Sequence, residues 1–416
     1  MKTPKNNVAA SVSAPVHSTN TAFNTEFDLL QWQEQGELRT AMWRSESSLP
    51  KPKRIEIADD TMPADTAFCH ISEGASLLWR GDFQNARQLL LALGRRLDKK
   101  TSRRKTAAAE ATAFPHAFHL HRQAQAQRAR MLSSILIELD ELWHCGLRRA
   151  PDWSLACTEA WGAFEPQAQA QTQTQVHAAL VPLRDLLGVV GAYEWRKKGV
   201  IIPALNGAAI HAHYGVFSPV RGEYLDLVAR APLPAAGMAQ AWDIGTGTGV
   251  LSALLLQRGV KSVVATDVSD RALACAGENL KRLGFTAQVE LQKQDLFPQG
   301  QAGLIVCNPP WLPGKATSLL DHAIYDEDSR MLRGFLQGLA AHLLPAGEGW
   351  LILSDLAEHL KLRSREQLQG WIDAAGLKVL GREDIRPQHG KSQDKTDPLH
   401  AARSAEVTSL WRLGAA

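Results

Sequence analysis

Asp243-Ile244-Gly245-Thr246-Gly247-Thr248-Gly249 decides the fold of this chain. It follows an apolar run and opens a helix beginning near Thr248. The next apolar run, Val263-Val264-Ala265-Thr266, is closed by Asp267, a third segment ends at Asp295, and Leu304-Ile305-Val306-Cys307 runs into Asn308-Pro309-Pro310-Trp311. Apolar runs that end in glycine or an acid and alternate with helical stretches read as strand–helix repeats of a parallel sheet. Ligands in such sheets sit at the carboxyl ends of the strands.

The glycine loop is specific in what it omits. A dinucleotide fingerprint needs a third glycine three residues after Gly247, where Val250 stands, and no Lys-Ser or Lys-Thr pair follows to grip phosphate. The remaining pattern is acid-x-Gly-x-Gly-x-Gly. Glycines permit positive φ and close backbone approach, and amides at a helix start suit a carboxylate. S-adenosylmethionine (SAM) carries that carboxylate and no phosphate. Asp267, ending the second strand, is placed to accept from two ribose hydroxyls. Asp295, in Gln294-Asp295-Leu296-Phe297, is placed to accept from an adenine amino group. The competing reading is a turn rich in glycine with two surface acids.

From about Val200 onward the chain resembles the class I SAM-dependent methyltransferases, in the branch with an Asn-Pro-Pro-aromatic motif. That branch includes enzymes that methylate exocyclic amines of adenine and guanine in DNA or RNA, and the glutamine methyltransferases of peptide release factors. The resemblance implies cofactor contacts from Asp243, Gly245, Thr246, Gly247, Gly249, Asp267, Val268, Asp295, Leu296 and Asn308. It implies a catalytic role for Asn308, Pro309, Pro310 and Trp311. The usual aromatic is Tyr or Phe; Trp311 offers a larger stacking face and a nitrogen that only donates.

The tetrapeptide has a direct chemical rationale. An amide or arylamine nitrogen is a poor nucleophile because its lone pair is delocalised. The Asn308 side-chain oxygen and the Pro309 carbonyl can each accept one N–H and turn that lone pair towards a methyl donor. The prolines stiffen the turn, and Trp311 stacks on the planar group. Placement of this kind is worth roughly 7–11 kcal/mol of a barrier. The competing reading is a Pro-Pro turn ending a buried strand.

Upstream, Val200-Ile201-Ile202-Pro203 and Ala208-Ala209-Ile210-His211 flank Asn206-Gly207, a strong hairpin signal. His213-Tyr214-Gly215-Val216-Phe217-Ser218-Pro219-Val220-Arg221-Gly222-Glu223 follows, then a helix over 223–231. This order resembles the entrance to release-factor glutamine methyltransferases, and Gly-Val-Phe-Ser is similar to a string in rRNA guanine methyltransferases. The resemblance offers Phe217 as a cover for the cofactor or a substrate contact. It offers Arg221 or Glu223 as residues that order the Asn308 loop, with a plain surface arginine the equal alternative.

The 416 residues, 45% hydrophobic and 21% charged, suffice for two domains. A net charge of +3 does not by itself point to a polyanion. Five scattered cysteines without a CxxC pair argue against a disulfide framework or zinc site and suit a reducing cytoplasm. Neither the first 25 residues nor any later run reads as a signal or membrane span.

The expected layout is a Rossmann-like α/β domain over 196–416, with a mostly parallel sheet, a C-terminal antiparallel hairpin and an entrance hairpin at about 199–217. A helical accessory domain over 70–195 precedes it, with helices near 82–91, 123–143 and 181–195, and a disordered or irregular segment covers 1–69. A basic stretch, Arg95, Arg96, Lys99, Lys100, Arg103, Arg104 and Lys105, suggests RNA or DNA contact or a solvated helix end. Gln167 to Gln175 reads as an exposed low-complexity loop, 312–318 as a mobile loop over the substrate, and 386–403 as a long functional or floppy loop. The expected activity is methyl transfer from SAM to a planar amine or amide. A nucleic-acid base is the first substrate and a protein glutamine the second; a non-catalytic SAM- or RNA-binding protein is the reading from another class.

Overall fold

A computed structural model describes residues 29–107, 114–165, 167–168, 175–387, 394 and 397–416, without the side chains of 100–107, 167–168 and 175. The disorder expected for 1–25, most of the glutamine-rich loop, Lys391 and Lys395 lie outside the described residues, as do the side chains of Lys100, Arg103, Arg104 and Lys105.

The first unit contains β1 (Leu29–Glu34), β2 (Glu37–Trp43), β3 (Ile55–Ala58), α1 (Ala64–Ser72), β4 (Ser76–Trp79), α2 (Phe83–Ala107) and α3 (His116–Leu132). Next come β5 (Ile135–Asp140), α4 (Ser154–Trp161), the two-residue β6 (Gln167–Ala168) and β7 (Gln175–Val176), β8 (Ala178–Pro182) and α5 (Leu183–Lys198). The expected helices are present, but they pack on a six-stranded sheet of order β1-β2-β8-β5-β4-β3, so the unit is α/β rather than helical. Two physical reasons explain the correction. Ser76–Trp79, Ile135–Asp140 and Ala178–Pro182 are short, almost wholly buried apolar runs, and such runs lack the alternation that separates strand from helix. The helix expected over 123–143 ends at Leu132, and Ser133-Ser134 turn the chain into β5.

Residues 29–69 are likewise ordered. β1 and β2 form a hairpin through Gln35 and Gly36, both at positive φ (55° and 85°), the torsions that match strand twist in a two-residue turn. Leu30 and Trp32, two apart, share a small cluster with Ala41, Trp43 and Leu180.

The second unit opens with the antiparallel pair β9 (Val200–Ile202) and β10 (Ala208–Ile210), in which Asn206 and Gly207 turn through positive φ. It continues through α6 (Glu223–Arg230), β11 (Gln240–Ile244), α7 (Val250–Gln257), β12 (Ser262–Asp267), α8 (Asp270–Arg282), β13 (Val289–Lys293) and β14 (Ala302–Cys307). It closes with β15 (Leu312–Pro313), β16 (Tyr325–Asp326), α9 (Arg330–His342), β17 (Leu343–Ser354), α10 (Leu356–His359), α11 (Arg365–Ala374), β18 (Leu377–Ile385), α12 (His400–Ala405) and β19 (Thr408–Ala415).

The seven-stranded sheet has the order β13-β12-β11-β14-β17-β19-β18, parallel except for β19. Alternate residues of each strand bury opposite faces. Ala241, Val263 and Val306 pack with α6, α7 and α8, while Trp242, Val264 and Ile305 pack with α9 and α11. The chain leaves β11 towards β12 and β13, then returns to β14 on the other side of β11. The crevice at that reversal is where ligands of open α/β sheets bind.

The two units touch at several places, among them Tyr214, which packs against the core of the first unit. Arg196 of α5 pairs with Glu159 and donates to Glu278 of α8 at 2.6 Å, and His213 approaches the same carboxylate at 3.1 Å. From α3, Phe118 is buried among Leu312, Leu356, Leu360, Leu399 and Ala402, behind the Asn308 motif. No helix of the described residues is long and apolar enough to cross a membrane. No group of three His, Cys, Asp or Glu among the described residues could hold a metal ion.

Candidate functional site

The glycine loop folds back over β12: Gly245 and Thr246 both donate their N–H to the Thr266 carbonyl at 2.9 Å. Gly245, Gly247 and Gly249 have φ of 72°, 56° and 77°, a region costly to any residue with a Cβ. A Cβ on Gly245 would lie 2.7 Å from Met331 Cε and one on Gly249 would lie 3.1 Å from Ala276 Cβ, whereas one on Gly247 would meet nothing within 4 Å. The loop is thus packed at both ends and open in the middle.

Asp243 works beneath it. Its Oδ2 accepts from Thr246 Oγ1 (2.7 Å), Ser252 Oγ (2.6 Å) and Ser252 N (3.1 Å), while its buried Oδ1 has no partner. Burial raises the pKa of this carboxyl, against the hydroxyl donors that lower it. Asp243 and Thr246, both expected to touch cofactor, spend these groups on one another and on α7. Asp267 borders the open part of the loop. Its Oδ2 accepts from Gly247 N at 3.0 Å and its Oδ1 from Ser269 N at 2.9 Å; burial nevertheless raises its pKa. Next to it Val268 is 58% exposed. Asp295 is ion-paired with Arg330 at 2.9 Å, both side chains more than half exposed. Leu296, at φ 66°, gives its carbonyl to Thr266 Oγ1 at 2.7 Å.

The Asn308 motif leaves the strand beside this loop. Ile244 pairs with Cys307, so Gly245 and Asn308 emerge at one level on either side of the switch point. Cys307 is wholly buried, with a thiol pKa pushed well up by burial, as suits a core residue. Trp311 differs from the expected free stacking face. It is half-buried against the clusters on both faces of the sheet, and its Nε1–H donates to Asn308 Oδ1 at 2.9 Å.

The segment after it is tethered. Leu312 and Pro313 pair with Tyr325 and Asp326, and Asp326 accepts from Met331 N (3.0 Å) and Leu332 N (3.1 Å) where α9 begins. Arg122 of α3 also holds the segment: it donates to the Lys315 carbonyl at 2.8 Å and lies 4.0 Å over the Tyr325 ring.

In the entrance segment Phe217 is 38% and Val220 64% exposed. Arg221 faces Glu406 at 3.9 Å, just before β19 begins. Glu406 is buried, accepts from Ser354 Oγ at 2.7 Å, and has its pKa raised by burial.

Sequence reasoning missed Asn279, which is buried on α8. Its Oδ1 accepts from His211 N at 2.9 Å, and its Nδ2 donates to the carbonyls of His211 and Thr248, each at 3.1 Å. It thereby ties the entrance hairpin to the glycine loop. An asparagine within an otherwise amphipathic helix was the only available signal. Phe118, Arg122 and Glu406 had none, since each acts across more than 50 residues of chain.

Residues 207–358 match the model of the methyltransferase small domain family. The chain is similar to a tRNA1(Val) (adenine(37)-N6)-methyltransferase of Tolumonas auensis, 31% identical over 191 residues, covering 42% of this chain and 73% of that protein. This chain belongs to the SAM-dependent methyltransferases. Its similarity extends to the release factor glutamine methyltransferase of Cereibacter sphaeroides, 30% identical over 154 residues (33% of the chain, 52% of the relative). A tRNA1(Val) (adenine(37)-N6)-methyltransferase of Bacteroides thetaiotaomicron is 31% identical over 142 residues (31% and 58%). The methyltransferase therefore spans little more than half the length of these last two relatives. The cofactor of the family is SAM.

Proposed function

We propose that this methyltransferase transfers a methyl group from SAM to the exocyclic amine of a nucleic-acid base, with RNA as the first substrate class. The observation that carries the reading is the pairing of an open glycine loop with an Asn-Pro-Pro turn across one switch point, Gly245 and Asn308 leaving adjacent strands in register. The residues fit SAM. Gly247 leaves the loop open to a ligand, the amides at the start of α7 suit a carboxylate, Asp267 suits a ribose diol, and exposed Val268 suits an adenine face. Asp295 and the backbone at Leu296 suit the adenine edge.

When bound, the cofactor supplies a methyl already activated on a sulfonium. The chain's part is then placement. Asn308 Oδ1 and the Pro309 carbonyl accept the N–H groups of the substrate nitrogen and direct its lone pair, with Pro310 stiffening the turn and Trp311 flanking the planar group. Phe217 and Arg221 border the entrance. A base before transfer is unnecessary, because the methylated nitrogen is acidic and sheds its proton to solvent.

RNA is favoured by the Tolumonas auensis relative, of which the chain covers 73%. The basic stretch supports it less than its composition suggests, since Arg96 pairs with Asp65 (2.8 Å) and the stretch itself carries Asp98, which pairs with Arg128 of α3 (2.9 Å). A protein glutamine is the second reading, supported by the Cereibacter sphaeroides relative. All five cysteines are free, which suits work in a reducing cytoplasm.

Radiolabelled SAM added to an extract of a strain lacking the gene, then split into RNA, DNA and protein, tests the reading. Label in RNA or DNA supports base methylation. Label in one protein band replaces it with the glutamine reading, and label in no fraction refutes both.

A further inference from the structure

We infer that Trp311 is a positioning residue whose ring N–H fixes which end of the Asn308 amide faces the substrate; this deepens the methyl-transfer reading above and rests on it. The two ends of an asparagine amide have nearly the same shape but opposite hydrogen-bond character. Turned by half a rotation about its last torsion, Asn308 would offer the substrate amine an NH2 group, donor against donor. The indole nitrogen is donor-only, so it pairs with Oδ1 and cannot pair with Nδ2. The 2.9 Å contact from Trp311 Nε1 therefore selects the oxygen. A carbonyl oxygen has two lone pairs, so accepting the indole proton leaves one for the substrate.

The ring is in turn held. Trp311 is half-buried and packs against the apolar clusters on both faces of the sheet, and Leu312, the next residue, is buried against Phe118, Leu356 and Leu360 and bonded through its N–H to the Ile324 carbonyl at 3.1 Å. A phenylalanine here would keep the apolar packing and lose the selection. A tyrosine hydroxyl, which both donates and accepts, would pair with either end. The departure from the usual aromatic is on this view a functional choice rather than a neutral enlargement of the stacking face.

The test separates the N–H from the ring. β-(3-Benzothienyl)alanine at position 311 keeps the bicyclic shape and puts sulfur where the N–H stands; Trp311→Phe serves as the natural variant. With the RNA fraction of the gene-deleted strain as acceptor, kcat should fall about three- to tenfold in both, the worth of one neutral hydrogen bond, with KM for SAM unchanged. In an Asn308→Ala background the same replacements should cost nothing further. The Trp311 indole resonance in an 15N spectrum, identified by its absence in Trp311→Phe, should move upfield in Asn308→Ala.

An unchanged kcat in the benzothienyl protein overturns the inference even if the resonance moves, and so do additive losses in the double variant. Absence of label in RNA with label in a protein band would sink the RNA reading, and the same variants are then compared on that protein. If no fraction is labelled, the methyl-transfer reading fails and the resonance decides this inference: a shift supports the bond that selects the oxygen, and no shift overturns it.

Discussion

Replacing Asn279 by Ala should damage both stability and cofactor binding, because one side chain serves three backbone groups in two segments. The His211 N–H and the Thr248 C=O would lose this partner, and the His211 C=O would keep only the weak Cys275 thiol donor at 3.5 Å. An orphaned buried polar group costs about 1–3 kcal/mol. The Thr248 bond lies in fully buried surroundings and takes that cost in full, whereas the His211 groups are only partly buried and regain some water. The sum is about 2–4 kcal/mol, which in a domain of this size corresponds to a fall in melting temperature of roughly 5–15 °C. SAM affinity should fall as well, since Thr248 belongs to the glycine loop. The assays are thermal unfolding by circular dichroism and titration calorimetry with SAM. Asn279→Asp, which keeps the acceptor for His211 N–H but points a carboxylate at two carbonyls, should be no better than Ala. A melting temperature within about 2 °C of the parent, less than 1 kcal/mol on the same scale, would refute the reasoning.

Three further outcomes are expected. Gly247→Ala meets no steric obstacle but forces alanine to φ 56°; it should lose about 1–2 kcal/mol of stability and a larger share of SAM affinity, while Gly249→Ala, pressed against Ala276, should lose chiefly stability, as paired melting and calorimetry will show. Burial raises the pKa of Asp267, so its charged form, proposed to accept the ribose hydroxyls, is present above that raised value and is lost as pH falls through it. SAM affinity measured by calorimetry from neutral to mildly acidic pH should therefore decline at a higher pH than the ordinary aspartate value of 3.8 would allow, and Asp267→Asn should flatten the profile. Arg122→Ala removes the bond to the Lys315 carbonyl and the stack on Tyr325, together worth about 1–2 kcal/mol; acceptor KM should rise several-fold in steady-state assays while the Kd for SAM stays put.

The methyltransferase sheet was legible because its signals are local: each strand ends in a loop whose residue types are fixed by backbone torsion or by ligand chemistry. Gly245, Gly247 and Gly249 all occupy left-handed φ, and Asp267 lies where its strand ends, against Gly247. What local pattern does not carry is the partner across space. The motif offers Asp243 and Thr246 as ligand contacts but does not carry the bonds their side chains make to one another and to Ser252. Trp311 reads as a stacking face with a donor nitrogen, and the motif does not say that the nitrogen's acceptor is Asn308 Oδ1. The first unit failed for a different reason: its central strands are buried on both faces, which erases the alternation a strand otherwise displays, and β5 follows α3 after only two serines. Its hairpin was readable, since Gln35-Gly36 between Trp32 and Leu38 is a two-residue turn, but charged residues on the exposed face obscured the period.

The most direct test of the central claim is the chemical position of the transferred methyl. The labelled acceptor is isolated, digested to nucleosides or peptides, and the methylated atom located by fragmentation mass spectrometry, with Asn308→Ala as the control. The account predicts a methyl on an exocyclic amine or amide nitrogen, with transfer cut by orders of magnitude but still measurable in the variant. A methyl on carbon or oxygen, or transfer that survives unchanged in Asn308→Ala, would contradict it.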